Sequence, residues 1–273
     1  RYTMSSNSSF ILEPAGKNAV PIIISIPHVG TEIPEPYRSR FDASLIEKPT
    51  DTDWFVDRLY SFANDMGITI LKSRYSRYLV DLNRGINREK LYDDGRQETG
   101  LVSNKSFDGS DLYKPGLEPT DKEISERIKL FHQPYHQALN DEIANMKKRW
   151  DNVLLFEAHS IRRHVPLLNP NPFPDLIIGD QNGNTCSKKI SNQFISDLNN
   201  SDYTCSHNKP FMGGYNTRLW GRPSEGIHSI QLEISQEIYM DESNYSYTPD
   251  KADPLYKLLE KSLGNLAEVV KNL

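Results

Sequence analysis

Short β-branched runs alternate with amphipathic stretches along this chain, and their order predicts its layers. Ile22-Ile23-Ile24-Ser25-Ile26, closed by Pro21 and Pro27, reads as a buried strand. Trp54, Val56, Leu59, Tyr60 and Ala63 recur at helical spacing across residues 53–65, with Gly67 as the stop. Residues 68–71 and 78–82 read as two further strands. Thr120-Asp121-Lys122-Glu123 has the form of a capping box and opens a helical pattern towards Trp150. Residues 153–157 predict another buried strand, and residues 185–198 a helix. Across residues 229–235, Ile230, Leu232 and Ile234 alternate with Gln231, Glu233 and Ser235, the signature of a strand with two unlike faces. This succession predicts an α/β fold, one sheet with helices on both faces. Residues 87–119 are rich in Gly, Asp and Pro and lack periodicity, and a loop that long inside a compact domain is often functional. With no repeat and no dividing linker, the expected organisation is a flexible N-terminus over residues 1–9 and a single domain over residues 10–273.

Composition narrows the function classes. The 273 residues carry 32 basic and 37 acidic side chains, a net charge of −5, which does not suit a general nucleic-acid binder. No stretch approaches the roughly 18 consecutive apolar residues of a membrane helix, and no apolar signal region follows the N-terminus. The expectation is a cytoplasmic protein without nucleic-acid or membrane partners. Cys186 and Cys205 have no metal or redox spacing and read as two reduced thiols.

In α/β sheets, ligands gather beyond the carboxyl ends of the strands. Here those ends carry His28, the Asn83-Arg84 pair, His159 and Glu233. Two imidazoles, an arginine and a strand-borne carboxylate at matching ends suggest one site. A catalytic zinc needs three protein ligands and an open position for water. His28 and His159 are the nitrogen candidates, and Glu32, Asp51, Asp53 and Asp57 compete as the carboxylate. His132 and His136, four apart without an intervening glutamate, fit helix packing or a supporting role better than metal ligation. Asp180-Gln181-Asn182-Gly183 reads as a turn rather than a calcium loop, and no Gly-x-Ser-x-Gly elbow supports Ser160 as a nucleophile. Arg84 stands out among the arginines because it follows a predicted buried strand, and a guanidinium can clamp a carboxylate through two hydrogen bonds.

Several segments in order carry a resemblance: Pro27-His28-Val29-Gly30-Thr31, Asp51-Thr52-Asp53-Trp54, Asp81-Leu82-Asn83-Arg84, Pro134-Tyr135-His136, Glu157-Ala158-His159-Ser160, Gly213-Gly214, and Gln231-Leu232-Glu233-Ile234. Over about residues 10–245 the chain resembles the N-formylglutamate amidohydrolase family. The resemblance implies a single-domain α/β fold with a mixed sheet, similar to zinc carboxypeptidases and aspartoacylases. It also implies zinc-dependent hydrolysis (zinc or another divalent transition metal) of N-formyl-L-glutamate to formate and glutamate in histidine degradation. Carried over residue by residue, it implies His28, Asp53 and His159 as metal ligands, with Glu32 the fallback, and Glu233 as general base. Asn83 and Arg84 are the implied clamp on one carboxylate of a small anionic N-acyl amino acid, and Arg162 or Arg218 are expected on the other. The alternatives are an amidohydrolase or carboxypeptidase for another N-acyl amino acid or peptide, and a metal-bound but inactive binding module.

Overall fold

Five of the seven strands in the main sheet are buried nearly throughout, which requires cover on both faces. The computed structural model describes residues 8–273, so residues 1–7 of the expected flexible N-terminus lie outside the described residues. The strands are β1 (Phe10–Glu13), β2 (Ile22–Ile26), β3 (Thr69–Ser73), β4 (Val153–Ile161), β5 (Leu176–Gly179), β6 (Cys205–His207) and β7 (Ile227–Ser235). They lie in the order β1-β3-β2-β4-β7-β5-β6. Pairing is parallel except for β1 with β3 and β5 with β7, so the sheet is mixed. A two-stranded ribbon, β8 (Met240–Asp241) and β9 (Ser246–Tyr247), stands apart.

The helices are α1 (Ala43–Glu47), α2 (Val56–Leu59), α3 (Asp121–Arg127), α4 (Gln133–Lys147), α5 (Lys188–Asn199), α6 (Tyr215–Trp220) and α7 (Pro249–Lys271). Alternation along the strands decides which layer each residue joins. Ile22, Ile24, Leu154, Phe156, Ile230 and Leu232 pack with α2, α5 and α7 on one face. Ile23, Leu71, Val153, Leu155 and Ile227 pack with α1, α4 and α6 on the other. Towards the carboxyl ends, that second face turns polar, through Ser25, Glu157, His159, Gln231 and Glu233. Strand β2 leads to β3 on one side, and the chain returns to β4 on its other side, a switch point where a crevice opens. No helix among the described residues is long and apolar enough to cross a membrane.

Two expected elements differ. The helix over residues 53–65 is only the four-residue α2, because Phe55 enters it in the left-handed region (φ 61°) and residues 60–66 continue as turns. Residues 78–82 are buried but are not a strand: the Leu79 carbonyl accepts from Arg127, and the Leu82 carbonyl bonds with His136. Side chains from neighbouring helices satisfy the backbone groups that a sheet ladder would otherwise pair. The unassigned C-terminal α7 is amphipathic, with Leu255, Leu259, Leu263, Leu266 and Val270 buried.

Candidate functional site

Parallel pairing brings the carboxyl ends of β2, β4 and β7 to one edge of the sheet. His28 follows β2, and its carbonyl accepts from the Asp53 N–H at 3.0 Å, joining the two segments through their backbones. Gly30 allows the next turn to pass close beneath β3's exit: a Cβ there would lie 2.5 Å from the Arg74 and Tyr75 backbone. On either side of Asp53, Gln236 Nε2 donates to the Thr52 carbonyl at 2.9 Å, and Tyr239 donates to the Trp54 carbonyl at 2.5 Å. His159 pairs in register with Glu233 across β4 and β7.

Three buried residues, His28, Asp53 and His159, offer one donor atom each within 4.8 Å of one another. Nδ1 of His159 lies 3.1 Å from Asp53 Oδ2, and Nδ1 of His28 lies 3.7 Å from the same oxygen. The second nitrogen of each ring meets a carboxylate: His28 Nε2 lies 2.6 Å from Asp81 Oδ1, and His159 Nε2 lies 3.1 Å from Glu157 Oε2. A metal-ligating imidazole is held in this way, with one nitrogen free for the ion and the other oriented by an acid. Two nitrogens and one oxygen fit a divalent transition metal of the zinc type. Burial disfavours the charged form of His159, but hydrogen bonds to Asp53 and Glu157 overcome this and push its pKa up to about 10. Asp53 is held below the usual carboxylate range, its burial outweighed by the two histidines. Arg77 braces the acids, 2.9 Å from Asp81 and 3.8 Å from Asp53.

Other acidic candidates lie elsewhere. Glu32 is 61% exposed and 4.0 Å from Arg74. Asp51 accepts from the Phe107 N–H at 2.8 Å, and Asp57 pairs with Lys72 at 3.3 Å.

The donor group forms part of the wall of a small pocket of about 90 Å³, with Glu233 beside it. Burial raises the Glu233 carboxyl to about 7; neighbouring Asp53 also raises it, while His159 and the arginines oppose the rise. Asn83 Nδ2 lies 3.4 Å from His159 Nε2, and its Oδ1 accepts from the Asn216 N–H at 2.9 Å. Gly214 permits that approach, since a Cβ would fall 2.4 Å from Asn83 Nδ2. Arg84 lines the pocket and spends Nε on the Thr99 carbonyl and one Nη1 bond on the Asn83 carbonyl. Phe107, Ile161, Leu168 and Phe211 supply apolar walls.

Neither Arg162 nor Arg218 lines this pocket. Arg162 lies 3.5 Å from Asp51, whereas Arg218 braces the wall from behind through the Gly213 and Leu91 carbonyls. Besides Arg84 and the acid-bound Arg77, the third arginine lining the pocket is Arg96, which pairs with Asp94 and donates to the Pro210 carbonyl at 2.7 Å. Arg96 lies in the aperiodic 87–119 segment, where no pattern distinguishes one arginine from another. Glu157 was findable: two residues before His159 on a strand, it must share His159's face.

A model of the N-formylglutamate amidohydrolase family matches residues 20–240. The N-formylglutamate deformylase of Pseudomonas aeruginosa is 36% identical over 255 residues, covering 92% of this chain and 94% of that protein. The N-formylglutamate deformylase of Pseudomonas putida is 34% identical over 246 residues, with coverages of 89% and 91%. The crystal structure of an N-formylglutamate amidohydrolase from Ralstonia eutropha superposes with a TM-score of 0.83 at 23% identity, covering 97% of this chain and all of that one. A protein of Agrobacterium tumefaciens shares the fold at a TM-score of 0.70 and 19% identity, covering 94% of this chain and 96% of its own. The mixed α/β sheet, the convergent site and these relatives agree: the chain is an amidohydrolase and belongs to the N-formylglutamate amidohydrolase family.

Proposed function

We propose that this protein hydrolyses N-formyl-L-glutamate to formate and L-glutamate, the closing step of histidine degradation in the cytoplasm, with zinc held by His28, Asp53 and His159. The observation that carries the reading is the placement of this donor group beside Glu233, in a pocket whose wall also bears Arg84 and Arg96. A zinc-type cation in such a site supplies Lewis acidity, polarising a carbonyl oxygen and lowering the pKa of water from 15.7 to about 7.

The chain's own residues do the rest. Glu233 takes a proton from the attacking water as the new C–O bond forms, and passes it to the amide nitrogen as the C–N bond breaks. Arg84 keeps an Nη1/Nη2 edge for two parallel hydrogen bonds to one substrate carboxylate, with Asn83 beside it. Arg96 takes the place expected for Arg162 or Arg218 and receives the second carboxylate. The apolar walls exclude water and leave room for the smallest acyl group, so a bulkier acyl is rejected by clash.

Formate release from N-formyl-L-glutamate, lost with a chelator and restored by zinc, is the expected result. Faster turnover of N-acetyl- or peptidyl-glutamate would transfer the activity to another amide, and zinc retention with no turnover of any amide would make the protein a binding module.

The ligand assignment predicts that Asp53→Ala loses bound metal and Glu32→Ala keeps it, as read by metal analysis of the folded proteins. The exposure of Glu32 and its place outside the His28–Asp53–His159 donor group motivate the second half. Arg84→Lys keeps the charge but not the planar fork. With hydrogen bonds to charged groups worth roughly 1.5–3 kcal/mol, kcat/KM is expected to fall about ten- to a hundredfold. The loss shrinks for the monoamide that lacks the contacted carboxylate. Equal losses on both substrates with a lowered melting temperature would assign Arg84 to the fold instead.

A further inference from the structure

The helical layer over the second face contains one irregular turn, and it lies behind Asn83 and Arg84. Between α3 and α4, residues Ile128–His132 form a π-turn, in which the Gln133 N–H reaches back five residues to the Ile128 carbonyl. This spacing brings Arg127 and His132, five apart, to a common side, and the following α-turn adds His136. All three side chains address one buried segment. Arg127 Nη1 donates to the Leu79 carbonyl at 3.0 Å, His132 Nε2 lies 2.8 Å from the Arg84 carbonyl, and His136 Nε2 lies 2.9 Å from the Leu82 carbonyl.

A carbonyl only accepts, so each imidazole must carry its proton on Nε2 and donate. The rings stack at 4.3 Å and 21°, an arrangement that suits two neutral imidazoles. Burial holds both below the usual histidine range, His136 down to about 3 with His132 adding to the shift. His132 Nδ1 is buried without a partner among the described residues.

The two carbonyls belong to the residues on either side of Asn83. Fixing both sets the backbone from which Asn83 reaches towards His159 and Arg84 enters the pocket. We propose that His132 and His136 are a positioning pair that holds the Asn83–Arg84 segment in register with the substrate carboxylate. The proposal rests on the clamp role given to Asn83 and Arg84 above. A displacement of about 1 Å at a remote support is enough to cost about a hundredfold in rate.

The test compares His132→Leu and His136→Leu, which keep bulk and lose the donor, with His132→Gln and His136→Gln, which keep an amide donor. The Leu variants should retain their metal and lose about ten- to a hundredfold in kcat/KM on N-formyl-L-glutamate, and the Gln variants should recover most of it. Adding Asn83→Ala to either Leu variant should cause little further loss, because both changes disable the same contact. Amide hydrogen exchange over residues 80–86 should be faster in the Leu variants and near wild type in the Gln variants. Unchanged exchange there, or activity losses that multiply with Asn83→Ala, would overturn the proposal. Should the wild type release no formate, the deformylase reading fails, and the exchange result still decides whether the pair holds the segment.

Discussion

His28→Ala and His159→Ala are expected to lose both bound metal and formate release to background. Each removes one of three donors, and a two-donor site competes poorly with water for a zinc-type ion. Each also leaves an acid without its ring, Asp81 for His28 and Glu157 for His159, inside the protein. A lowered melting temperature should therefore accompany the loss, and His159→Gln, which keeps a polar group in place, separates the two effects. Retention of one equivalent of zinc in a folded variant would remove that residue from the ligand set. The raised pKa of His159 adds a pH test. At neutral pH the metal-free ring is protonated, and binding an ion at its Nδ1 must displace one proton. Metal affinity should thus rise by about tenfold per pH unit below about 10 and weaken as the pH falls, all else being constant. An affinity that does not vary between pH 6 and 8 would show that His159 does not give up a proton on binding.

The second large effect is expected at Glu233. Glu233→Gln should keep the metal and bind substrate but lose about 10²–10⁴-fold in kcat, the usual contribution of a placed acid–base group. The amide is nearly isosteric and cannot accept the proton of water. Burial holds the wild-type carboxyl up at about 7, and a bound cation nearby favours its ionised form. The acid limb of the wild-type kcat/KM profile should therefore lie below 7, with activity rising as pH rises through it, and Glu233→Gln should lack that limb. Near-normal kcat with a lowered melting temperature would mean that Glu233 serves the sheet alone.

Local pattern carried much of this protein. The β-branched run before His28, the alternation around Glu233 and the apolar run that leads to His159 are written in the covalent sequence. A two-residue period assigns their faces with no knowledge of neighbours. The ordered segments shared with a known family were equally legible. Tertiary structure decided what depends on distance across the chain. Asp53 enters the donor group because its N–H bonds to the His28 carbonyl and Phe55 turns the chain, whereas Glu32, nearer in sequence, points to solvent. Residues 78–82 have the hydrophobicity of a strand but lie where Arg127 and His136 take their carbonyls, and no propensity encodes that competition. The place of Arg96 in the pocket was decided in the same way. Arg162 follows β4 and Arg218 lies in α6, yet packing sets one against Asp51 and the other behind the wall, while the path of an aperiodic loop brings Arg96 to the pocket. Periodicity determines which face a residue takes within its own element; which elements meet depends on packing and hydrogen bonds between residues far apart in the chain.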